Sequence, residues 1–508
     1  MRIAPGWRPS ARQSVLTGWA PIERLQTILK TLALIPWSEG ECFVVGGAVR
    51  DAFLGRPSGS DIDLALGGDT FGFARSLKRI CPELSLVPLD RARGIVRMVY
   101  PGRPEIWIDI SPFKGPTLEE DLRRRDFTIN AMALSVDDFI AGRLDRVIDP
   151  TNGRVDLAAA TIRVCSADSL ADDPLRVMRV FRFRAALGFS VAPETQRDVV
   201  RTVSRLNTIA GERIRDELIA ALAVKGSIGA LREMDALGVF EVVFPGLNPM
   251  RGCEQNPYHH LDVWEHTLEA IAQLEELTAA SEYLFGAEAS TVNNYLEAEP
   301  VVRRPRMALL KLALLFHDSG KPRAKTRDPE TGRTRFFGHE TISKEIFHAH
   351  ADVLRLAKRE TRIIEALIEG HMRPMVLNDP NPTRKAKFRL IRSFGEDVVG
   401  LMLLFLADLR AARGPWRSQA SDVSAFEGAR SVIEIYSESL KEKTVPLLGG
   451  RDLMSIFGLT PGPVIGYILD RLAVMQGGGE LETLEEAVGA ASRLIEENDE
   501  GRGPESKT

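Results

Sequence analysis

The sequence predicts an α+β protein in which a head of mixed strands and helices precedes a long helical region. Up to about residue 149, short strand-like apolar runs alternate with helical segments. From Leu157 onward the apolar periodicity is helical almost throughout. At 508 residues the chain is too long for one hydrophobic core, so we expect roughly three or four domains.

The composition excludes several classes of protein. A net charge of −4 provides no overall positive potential, so any surface that binds nucleic acid must be a local basic patch. The N-terminal residues lack the apolar core of a signal peptide, and the longest apolar runs, such as 399–407, are too short to span a bilayer. Without CxxC spacing, neither a zinc knuckle nor a disulfide framework is indicated for the cysteines, Cys42, Cys81, Cys165 and Cys253. We therefore expect a cytoplasmic protein that does not bind membranes.

The first candidate element of a site is a glycine turn. The apolar run Cys42–Val45 predicts a strand that ends at Gly46 and Gly47, after which a helix begins and includes Arg50. Such a turn directs backbone N–H groups and a helix N-terminus toward an anion. A Gly-Gly pair alone is more often an ordinary turn, so this interpretation needs a second element.

Two aspartates, Asp61 and Asp63, provide the second element. A β-strand directs residues i and i+2 to one face, so both carboxylates can hold the same divalent ions. A phosphate-binding turn beside two such carboxylates suits nucleotidyl transfer, because metals activate the attacking hydroxyl and neutralise the leaving pyrophosphate. The alternative is that both acids simply face solvent.

A third motif, RRDFTINAMA, begins at Arg124 and follows the strand-like segment Glu105 to Ile110. With GGAVRD, DID and RRDFTINAMA in this order, the chain resembles the class II tRNA nucleotidyltransferase and bacterial poly(A) polymerase family, within the DNA polymerase beta superfamily. The match continues through DDPLRVMRVFRFRAALGF and GERIRDEL and covers roughly the first half of the chain. The resemblance implies a polymerase-beta-like nucleotidyltransferase head followed by a helical neck and body.

The resemblance also implies roles in the head. Asp61 and Asp63 would be catalytic carboxylates that bind Mg²⁺, and Asp109 could supply a third. Residues expected to contact the nucleotide are Gly46, Gly47, Arg50, Arg125 and Asn130. Two of these assignments have an alternative, since Asp109 could be an acid on an edge strand and Asn130 could cap a helix.

Selection of the base is expected at DDPLRVMR. In the family, a carboxylate and an arginine of this motif bind the Watson–Crick edge of the incoming base, which implies Asp173 and Arg176 here. Arg179 and Arg182 would lie near the phosphates. The chain departs from the family at Asp172, where glutamate is common. A set of solvated arginines on one helix face is the alternative.

The expected product is less closely defined than the reaction. Only SPFKGPT separates the strand at 105–110 from the segment LEEDLRRRD, which begins at Leu118. In the family, relatives that add complete CCA carry a longer mobile loop here that helps the pocket switch from CTP to ATP. We expect addition of CCA to tRNA 3′ ends from CTP and ATP. Addition of CC alone and poly(A) synthesis on other RNA 3′ ends are the alternatives.

A second site is predicted from histidine. All eight histidines lie between His259 and His371, and their arrangement resembles an HD phosphohydrolase domain. The resemblance implies a metal site for Mn, Ni, Fe or Mg²⁺ and a phosphate contact from Lys321. The expected metal ligands are His266, His317, Asp318, His339, His371 and Asp408. Structural roles are expected for His259, His260, His348 and His350.

The predicted domains are a nucleotidyltransferase head (22–155), a helical neck and body that bind the base and RNA (156–248), an HD domain (254–415) and a helical tail (440–497). Pro, Gly and Asn between residues 245 and 253 indicate a linker, and the polar residues from 497 onward indicate disorder. A protein that is mainly an HD phosphohydrolase with an RNA-binding head is the alternative from another class.

Overall fold

The computed structural model describes residues 28–32, 41–56, 61–102, 105–302, 304–379, 382–414, 419–441 and 446–500. The chain folds into two compact units, unit 1 (Met1–Thr208) and unit 2 (Ile209–Thr508). This division falls inside the predicted neck and body. Of the helix predicted around Ile22 to Leu34, residues 28–32 are helical and the rest lies outside the described residues. None of the described helices is long and apolar enough to cross a bilayer.

A six-stranded sheet organises unit 1. Its strands are β1 (Cys42–Val45), β2 (Asp61–Leu66), β3 (Ser85–Asp90), β4 (Ile95–Tyr100), β5 (Ile106–Pro112) and β6 (Ala133–Ser135). They are ordered β3-β4-β5-β2-β1-β6 in space, and only β2 and β5 pair in parallel. Because β5 is an internal strand, the alternative that Asp109 is an acid on an edge strand is wrong.

The helices of unit 1 connect these strands or follow them. They are α1 (Gly47–Phe53), α2 (Thr70–Ile80), α3 (Leu118–Arg123), α4 (Val136–Ile140), α5 (Gly153–Ala158), α6 (Ser169–Asp172), α7 (Arg176–Leu187) and α8 (Pro193–Thr202). Two further two-residue strands, β7 (Thr161–Ile162) and β8 (Ser190–Val191), pair in parallel. Helix α7 buries Val177, Val180 and Phe181 and carries its arginines on the remaining surface, as expected for an amphipathic helix.

Unit 2 is helical apart from one short hairpin, β9 (Thr326–Arg327) with β10 (Thr334–Arg335), in the part of the chain that is described. Its helices are α9 (Gly211–Leu222), α10 (Ile228–Ala236), α11 (Val239–Val243), α12 (Val263–Ala279), α13 (Ser281–Phe285), α14 (Ala289–Glu297), α15 (Arg306–Phe316), α16 (Lys321–Ala324), α17 (His339–Val353), α18 (Lys358–Gly370), α19 (Arg384–Phe394), α20 (Val398–Ala411), α21 (Gln419–Lys441), α22 (Gly450–Phe457), α23 (Pro463–Gly477) and α24 (Leu484–Glu500). The predicted fold class is confirmed.

The core of unit 2 explains where its histidine site lies. Helices α15 and α20 are apolar and buried along almost their whole lengths, and α12 packs against both. His266 lies on α12 and Asp408 on α20, and the His317–Asp318 pair follows directly after the last residue of α15. A polar site at this position is therefore bordered by the apolar core of the unit.

Two expectations about loosely structured segments are wrong. Residues 245–253 are not an open linker, because Pro245–Met250 forms a 3-10 turn whose Leu247 and Met250 are buried. The chain also remains helical to Glu500, four residues into the segment expected to be disordered; its remainder lies outside the described residues. Burial of an apolar side chain stabilises an ordered backbone even where Pro and Gly are frequent.

Candidate active sites

The glycine turn, the aspartate strand and the RRD motif meet in unit 1. Strands β1 and β2 pair so that Val45 lies opposite Asp63, which places the next residue, Gly46, beside that carboxylate. Gly46 has φ +74°, and a Cβ atom there would lie 3.0 Å from Asp63 Oδ2 and 3.7 Å from Arg125 Nη1. The absence of a side chain at this turn therefore lets a carboxylate and a guanidinium approach the backbone closely.

Three candidate carboxylates share one face of the sheet. Asp61 and Asp63 are two residues apart on β2, and Asp109 on β5 pairs with Asp63. Asp63 is open to solvent on one side but is otherwise surrounded by protein. Desolvation raises the pKa of Asp63 and the charges of Asp109 and Asp61 raise it further, while Arg125 opposes the shift. Carboxylates crowded in this way favour the binding of a cation.

A chain of polar side chains connects Arg50 of α1 with Arg179 of α7. Arg50 Nη1 donates to Asn130 Oδ1 at 2.8 Å, and Asn130 Nδ2 donates to Asp126 Oδ1 at 3.3 Å. Arg179 donates to Asp126 Oδ2 from Nε at 2.9 Å and from Nη2 at 2.6 Å. The alternative that Asn130 caps a helix is wrong, because its amide binds these two charged partners. Sequence reasoning missed Asp126, although its place within the RRD motif was visible.

The backbone of the RRD motif holds the arginine that was expected to read the base. Arg176 Nη1 donates to Ser169 Oγ at 2.7 Å and to the Arg125 carbonyl at 3.3 Å, and Nη2 donates to the Arg124 carbonyl at 3.0 Å. Arg125 itself donates to Asp121 Oδ2 at 3.0 and 3.1 Å. Ser169 and Asp121 are buried partners that sequence reasoning did not identify.

The other two residues of the base motif also have neighbours within unit 1. Asp173 Oδ1 accepts a hydrogen bond from the backbone N–H of Leu175 at 3.3 Å. The guanidinium of Arg182 lies 4.4 Å from the centre of the Phe183 ring. Since these side chains and the other arginines of α7 are half-buried, the alternative of a fully solvated arginine face is wrong.

The histidine site of unit 2 contains two groups of possible metal ligands. In the first group, one ligand atom from each of His266, His317, Asp318 and Asp408 lies within 4.8 Å of the others. His266 Nε2 lies 2.7 Å from Asp408 Oδ1, and His317 Nε2 lies 3.2 Å from Asp318 Oδ2. Residues 142 positions apart in sequence are thus in direct contact.

The second group shares Asp318 with the first. Asp318 Oδ1 lies 3.2 Å from His339 Nε2, and the two ring atoms His339 Nε2 and His371 Nε2 are 3.1 Å apart. All three residues are buried. The six residues predicted from the HD resemblance are therefore brought together as two adjoining clusters that have one carboxylate in common.

Backbone carbonyls orient three of these imidazoles. The Nδ1 atoms of His317, His339 and His371 lie 2.7, 2.8 and 2.6 Å from the carbonyl oxygens three residues earlier. Donation from Nδ1 leaves Nε2 as the lone-pair atom that faces the site. His317 Nε2 and both Asp318 carboxylate oxygens are buried and face the other charged and imidazole groups of the site. Buried polar atoms of this kind fit a divalent metal ion.

The charged groups of this site shift the pKa values of its histidines. Burial would lower the pKa of His317, but the charges and hydrogen bonds of Asp318 and Asp408 raise it to about 10. Burial and the neighbouring charges of His317 and His339 lower the pKa of His371 to about 3. The negative charge of Asp318 and Asp408 thus favours positive charge at this site, as it would for a bound metal ion.

Two residues near this site have contacts that sequence reasoning did not anticipate. Lys321 Nζ lies 2.6 Å from Asp318 Oδ2 and 2.7 Å from Gln255 Oε1, so its ammonium group balances a carboxylate of the site. His259 does not have the satisfied structural role expected of it, because its Nδ1 is buried without a hydrogen-bond partner. Its ring lies edge-on to His266, with 4.6 Å between the ring centres.

The fold and the two sites define a nucleotidyltransferase joined to a helical HD domain. The chain matches three families: the poly(A) polymerase head domain over residues 42–163, the probable RNA- and SrmB-binding site of polymerase A over 188–251, and the HD domain over 263–397. An A-adding tRNA nucleotidyltransferase of Deinococcus radiodurans is 35% identical over 89% of this chain and 95% of its own length. A CC-adding tRNA nucleotidyltransferase of Thermus thermophilus is 32% identical over 88% of this chain and 92% of its own.

This chain belongs to the tRNA nucleotidyltransferase family, and the resemblance stated from its motifs is confirmed. Its fold is also similar to that of a Thermotoga maritima CCA-adding enzyme complexed with tRNA-CCA. The TM-score is 0.59, with 21% sequence identity over 96% of this chain and 100% of the other. At that identity the comparison supports the fold alone. The predicted enzyme class, a nucleotidyltransferase, follows from membership of the family.

Proposed function

We propose that unit 1 transfers a nucleotide to the 3′ end of tRNA at the site formed by Gly46, Asp61, Asp63 and Arg125. Asp61 and Asp63 are the proposed Mg²⁺ ligands, and bound Mg²⁺ would activate the RNA 3′-hydroxyl and neutralise charge on the triphosphate. The close approach of Gly46 to Asp63 Oδ2 carries this proposal, because it places a backbone turn suited to phosphate beside the carboxylates.

The remaining assignments concern the nucleotide. Gly47, Arg50 and Arg125 are proposed to bind phosphate, since guanidinium groups match phosphate oxygens in two-point contacts. Asn130 is proposed to hold Arg50 in place through their 2.8 Å hydrogen bond. Base selection is proposed for Asp173 and Arg176, with Arg179 and Arg182 near the phosphates. Asp109 is the third carboxylate of the same face.

We further propose that this protein adds only part of the CCA end. The A-adding and CC-adding relatives are similar in sequence over 89% and 88% of this chain, whereas the multifunctional CCA proteins of Methylococcus capsulatus and Thioalkalivibrio sulfidiphilus match 49% and 68% of it. The short connection from Pro112 to Leu118 is consistent with a pocket that does not change its nucleotide. The 35% identity to the A-adding enzyme favours adenosine, and CC addition is the second candidate.

Three tRNA transcripts separate these products. The truncated transcript lacks the whole CCA end, the second ends in C, and the third ends in CC. Each is incubated with CTP alone, with ATP alone or with both. Addition of one A to the CC transcript alone would establish the first proposal, and addition of two C residues to the truncated transcript would establish the second. Synthesis of complete CCA from both nucleotides, or of long oligo(A), would contradict partial addition.

We propose that the histidine site is a metal-dependent phosphohydrolase centre. The two adjoining clusters of histidine and aspartate atoms, within each of which the ligand atoms lie within 4.8 Å of one another, carry this proposal. His266, His317, Asp318 and Asp408 would hold one metal ion, His339 and His371 would support a second with Asp318, and bound metal would supply an activated water. The metal is Mn, Ni, Fe or Mg²⁺, and the proposed substrate is a cyclic phosphodiester, a 2′-phosphate or another nucleotide phosphoester.

A cytoplasmic location remains a prediction from the sequence.

Metal reconstitution tests the second site. Protein treated with a chelator is supplied with each of the four metals and assayed on 2′,3′-cyclic AMP and 2′-AMP. We expect hydrolysis that depends on the metal and is lost in His317→Ala. His348→Ala is the matched control, because His348 is an exposed histidine that forms an ion pair with Glu365 at 2.6 Å. Equal loss in both variants, or hydrolysis without metal, would contradict the assignment.

A further inference from the structure

The segment between two ligand groups of the histidine site is strongly basic. It lies between the His317–Asp318 pair and His339 and contains α16, β9 and β10. We call residues 321–337 the basic hairpin. Its two acidic residues are outnumbered by six basic ones, which are Lys321, Arg323, Lys325, Arg327, Arg333 and Arg335. Since the whole chain has a net charge of −4, this is a local basic patch of the kind that nucleic-acid binding requires.

Both ends of the basic hairpin are fixed at the histidine site. Lys321 Nζ lies 2.6 Å from Asp318 Oδ2 and 5.6 Å from the centre of the Phe336 ring. Gly320 lies so close to His339 that an added Cβ atom would be 2.2 Å from the His339 carbonyl oxygen. The first and last residues of the hairpin therefore border the proposed phosphohydrolase centre, so a ligand bound along the hairpin would have one end at that centre.

The basic side chains beyond Lys321 are exposed to solvent. Lys325 Nζ donates to the Glu254 carbonyl at 2.7 Å, and Arg327 Nε donates to the Gly332 carbonyl at 3.1 Å. Backbone carbonyls orient such groups but carry no net charge. Asp328 forms an ion pair with Arg335 at 2.6 Å and so balances one of the six. The surface of the hairpin is therefore positively charged.

An exposed aromatic ring lies among these charges. The side chain of Phe337 is 76% exposed, although it is only two residues from the buried His339. Its ring centre lies 5.6 Å from the guanidinium carbon of Arg335. Proteins bind single-stranded nucleic acids with this combination, because bases stack on the ring while basic groups contact phosphates. A site for phosphate alone would need only the charges.

We propose that the basic hairpin binds single-stranded RNA, so that the phosphohydrolase centre acts on a phosphoester at an RNA end in preference to a free nucleotide. This inference rests on the proposed function of the histidine site and names its substrate class. In the reaction, water attacks phosphorus and the bond from phosphorus to a sugar oxygen breaks. That oxygen takes the proton that the water loses, so no further reactant is needed.

Two substrates with the same reacting group test the inference on the full chain with metal supplied. They are 2′,3′-cyclic AMP and a short single-stranded RNA that ends in a 2′,3′-cyclic phosphate. We expect kcat/KM to be about tenfold higher for the RNA, through a lower KM. If two phosphates are neutralised, raising salt from about 50 to 200 mM should lower kcat/KM for the RNA by about sevenfold. Hydrolysis of 2′,3′-cyclic AMP should change by less than about twofold.

A binding measurement gives a second readout that needs no metal. Fluorescence anisotropy of the same RNA, labelled at its 5′ end, measures its Kd for protein treated with a chelator. Arg327→Gln/Arg333→Gln should raise this Kd by about fivefold and weaken its salt dependence, because two cationic contacts are removed. The matched control is Arg359→Gln/Arg430→Gln, which removes two exposed arginines from α18 and α21 and should leave the Kd unchanged.

The ring of Phe337 is tested with a pair of substitutions. Phe337→Ala should raise the Kd for the RNA by about tenfold, because stacking of a base is lost. Phe337→Trp keeps an aromatic surface and should retain most of the affinity. Circular dichroism and the melting temperature establish that each variant is folded. If Arg327→Gln/Arg333→Gln does not fold, the two variants at position 337 still provide the comparison.

The possible failures are distinguishable. Equal kcat/KM for the two substrates would overturn the inference and leave the phosphohydrolase proposal in place. A Kd that rises equally in Arg327→Gln/Arg333→Gln and in its control, or that does not change in Phe337→Ala, would also overturn it. Absence of hydrolysis of both substrates, with every metal supplied, would instead reject the phosphohydrolase centre itself.

Discussion

At the scale of single residues, the transferase site depends on a glycine whose backbone conformation and lack of a side chain are both required. Gly46 has φ +74°, and a Cβ atom added there would lie 3.0 Å from Asp63 Oδ2. An L-residue at this φ is strained by roughly 1–2 kcal/mol, and its Cβ would press on the carboxylate. The position therefore cannot accept even alanine without moving a candidate catalytic group.

Gly46→Ala should lower nucleotide incorporation by about a hundredfold, because small displacements of catalytic groups have effects of this size. The measurement is single-turnover incorporation on a tRNA primer. Gly55→Ala is the control, since Gly55 also has a positive φ, +61°, but has no atoms within 4 Å of the added Cβ. Equal losses in the two variants would show that backbone strain, and not the contact with Asp63, is responsible.

A second residue-scale prediction concerns acid stability. Burial alone would raise the pKa of Asp126, but the charge and hydrogen bonds of Arg179 hold it at about 2. A carboxyl whose pKa is lower in the folded state stabilises the protein above its unfolded pKa, and this stabilisation is lost as pH falls. Unmodified protein should therefore lose about 2 kcal/mol between pH 4 and pH 2 that Asp126→Asn does not lose.

Urea unfolding of both proteins across this pH range measures the difference, with fluorescence as the signal. Asp145→Asn is the control, because Asp145 is exposed in the same unit and should leave the pH dependence unchanged. Parallel pH profiles for the unmodified protein and Asp126→Asn would contradict a stabilising ion pair with Arg179.

At the scale of elements, the packing of two helices restricts which residue can occupy position 400, and helix propensity alone would not predict that restriction. Gly400 lies within α20, where a glycine costs about 1 kcal/mol relative to alanine. A Cβ at this position would overlap the hydroxyl group of Tyr295 on α14, and that hydroxyl donates to Asp397 at 3.2 Å. The close contact between the two helices therefore explains a residue that is unfavourable for the helix itself.

Gly400→Ala should destabilise the protein by about 1–3 kcal/mol through overpacking, despite the better helix propensity of alanine. Thermal unfolding measures the effect. The double variant with Tyr295→Phe removes the overlapping hydroxyl and should recover part of the loss, so that the two substitutions are not additive. A Gly400→Ala protein as stable as the unmodified one would show that the helices move apart without cost.

At the scale of the whole molecule, the two candidate sites belong to different compact units. Asp61→Ala should therefore reduce nucleotide incorporation by more than about a thousandfold while metal-dependent phosphohydrolysis remains. Asp318→Ala should abolish metal-dependent phosphohydrolysis while nucleotide incorporation remains. Both activities are measured on one preparation of each variant. Loss of both activities from either substitution, in a protein that still folds, would contradict independent sites.

Sequence alone determined the family and the enzyme class of this protein, because both are carried by short motifs of glycine, aspartate and arginine. The Asp61–Asp63 spacing and the His317–Asp318 pair are short-range patterns, and strand or helix geometry fixes where such side chains point. The mixed head and the helical remainder followed from periodicity for the same reason. Membership of the nucleotidyltransferase family was therefore predictable from three motifs.

Only the tertiary structure decided which distant groups meet. The pairing of β4 with β5 places Arg97 on Asp109, and the packing of α12 on α20 places His266 on Asp408, across 142 positions of sequence. Strand order and helix packing minimise the apolar area left in water over the whole unit, so no local pattern encodes these contacts. For that reason the buried partners Asp126, Ser169 and Asp121 became visible only in the folded chain.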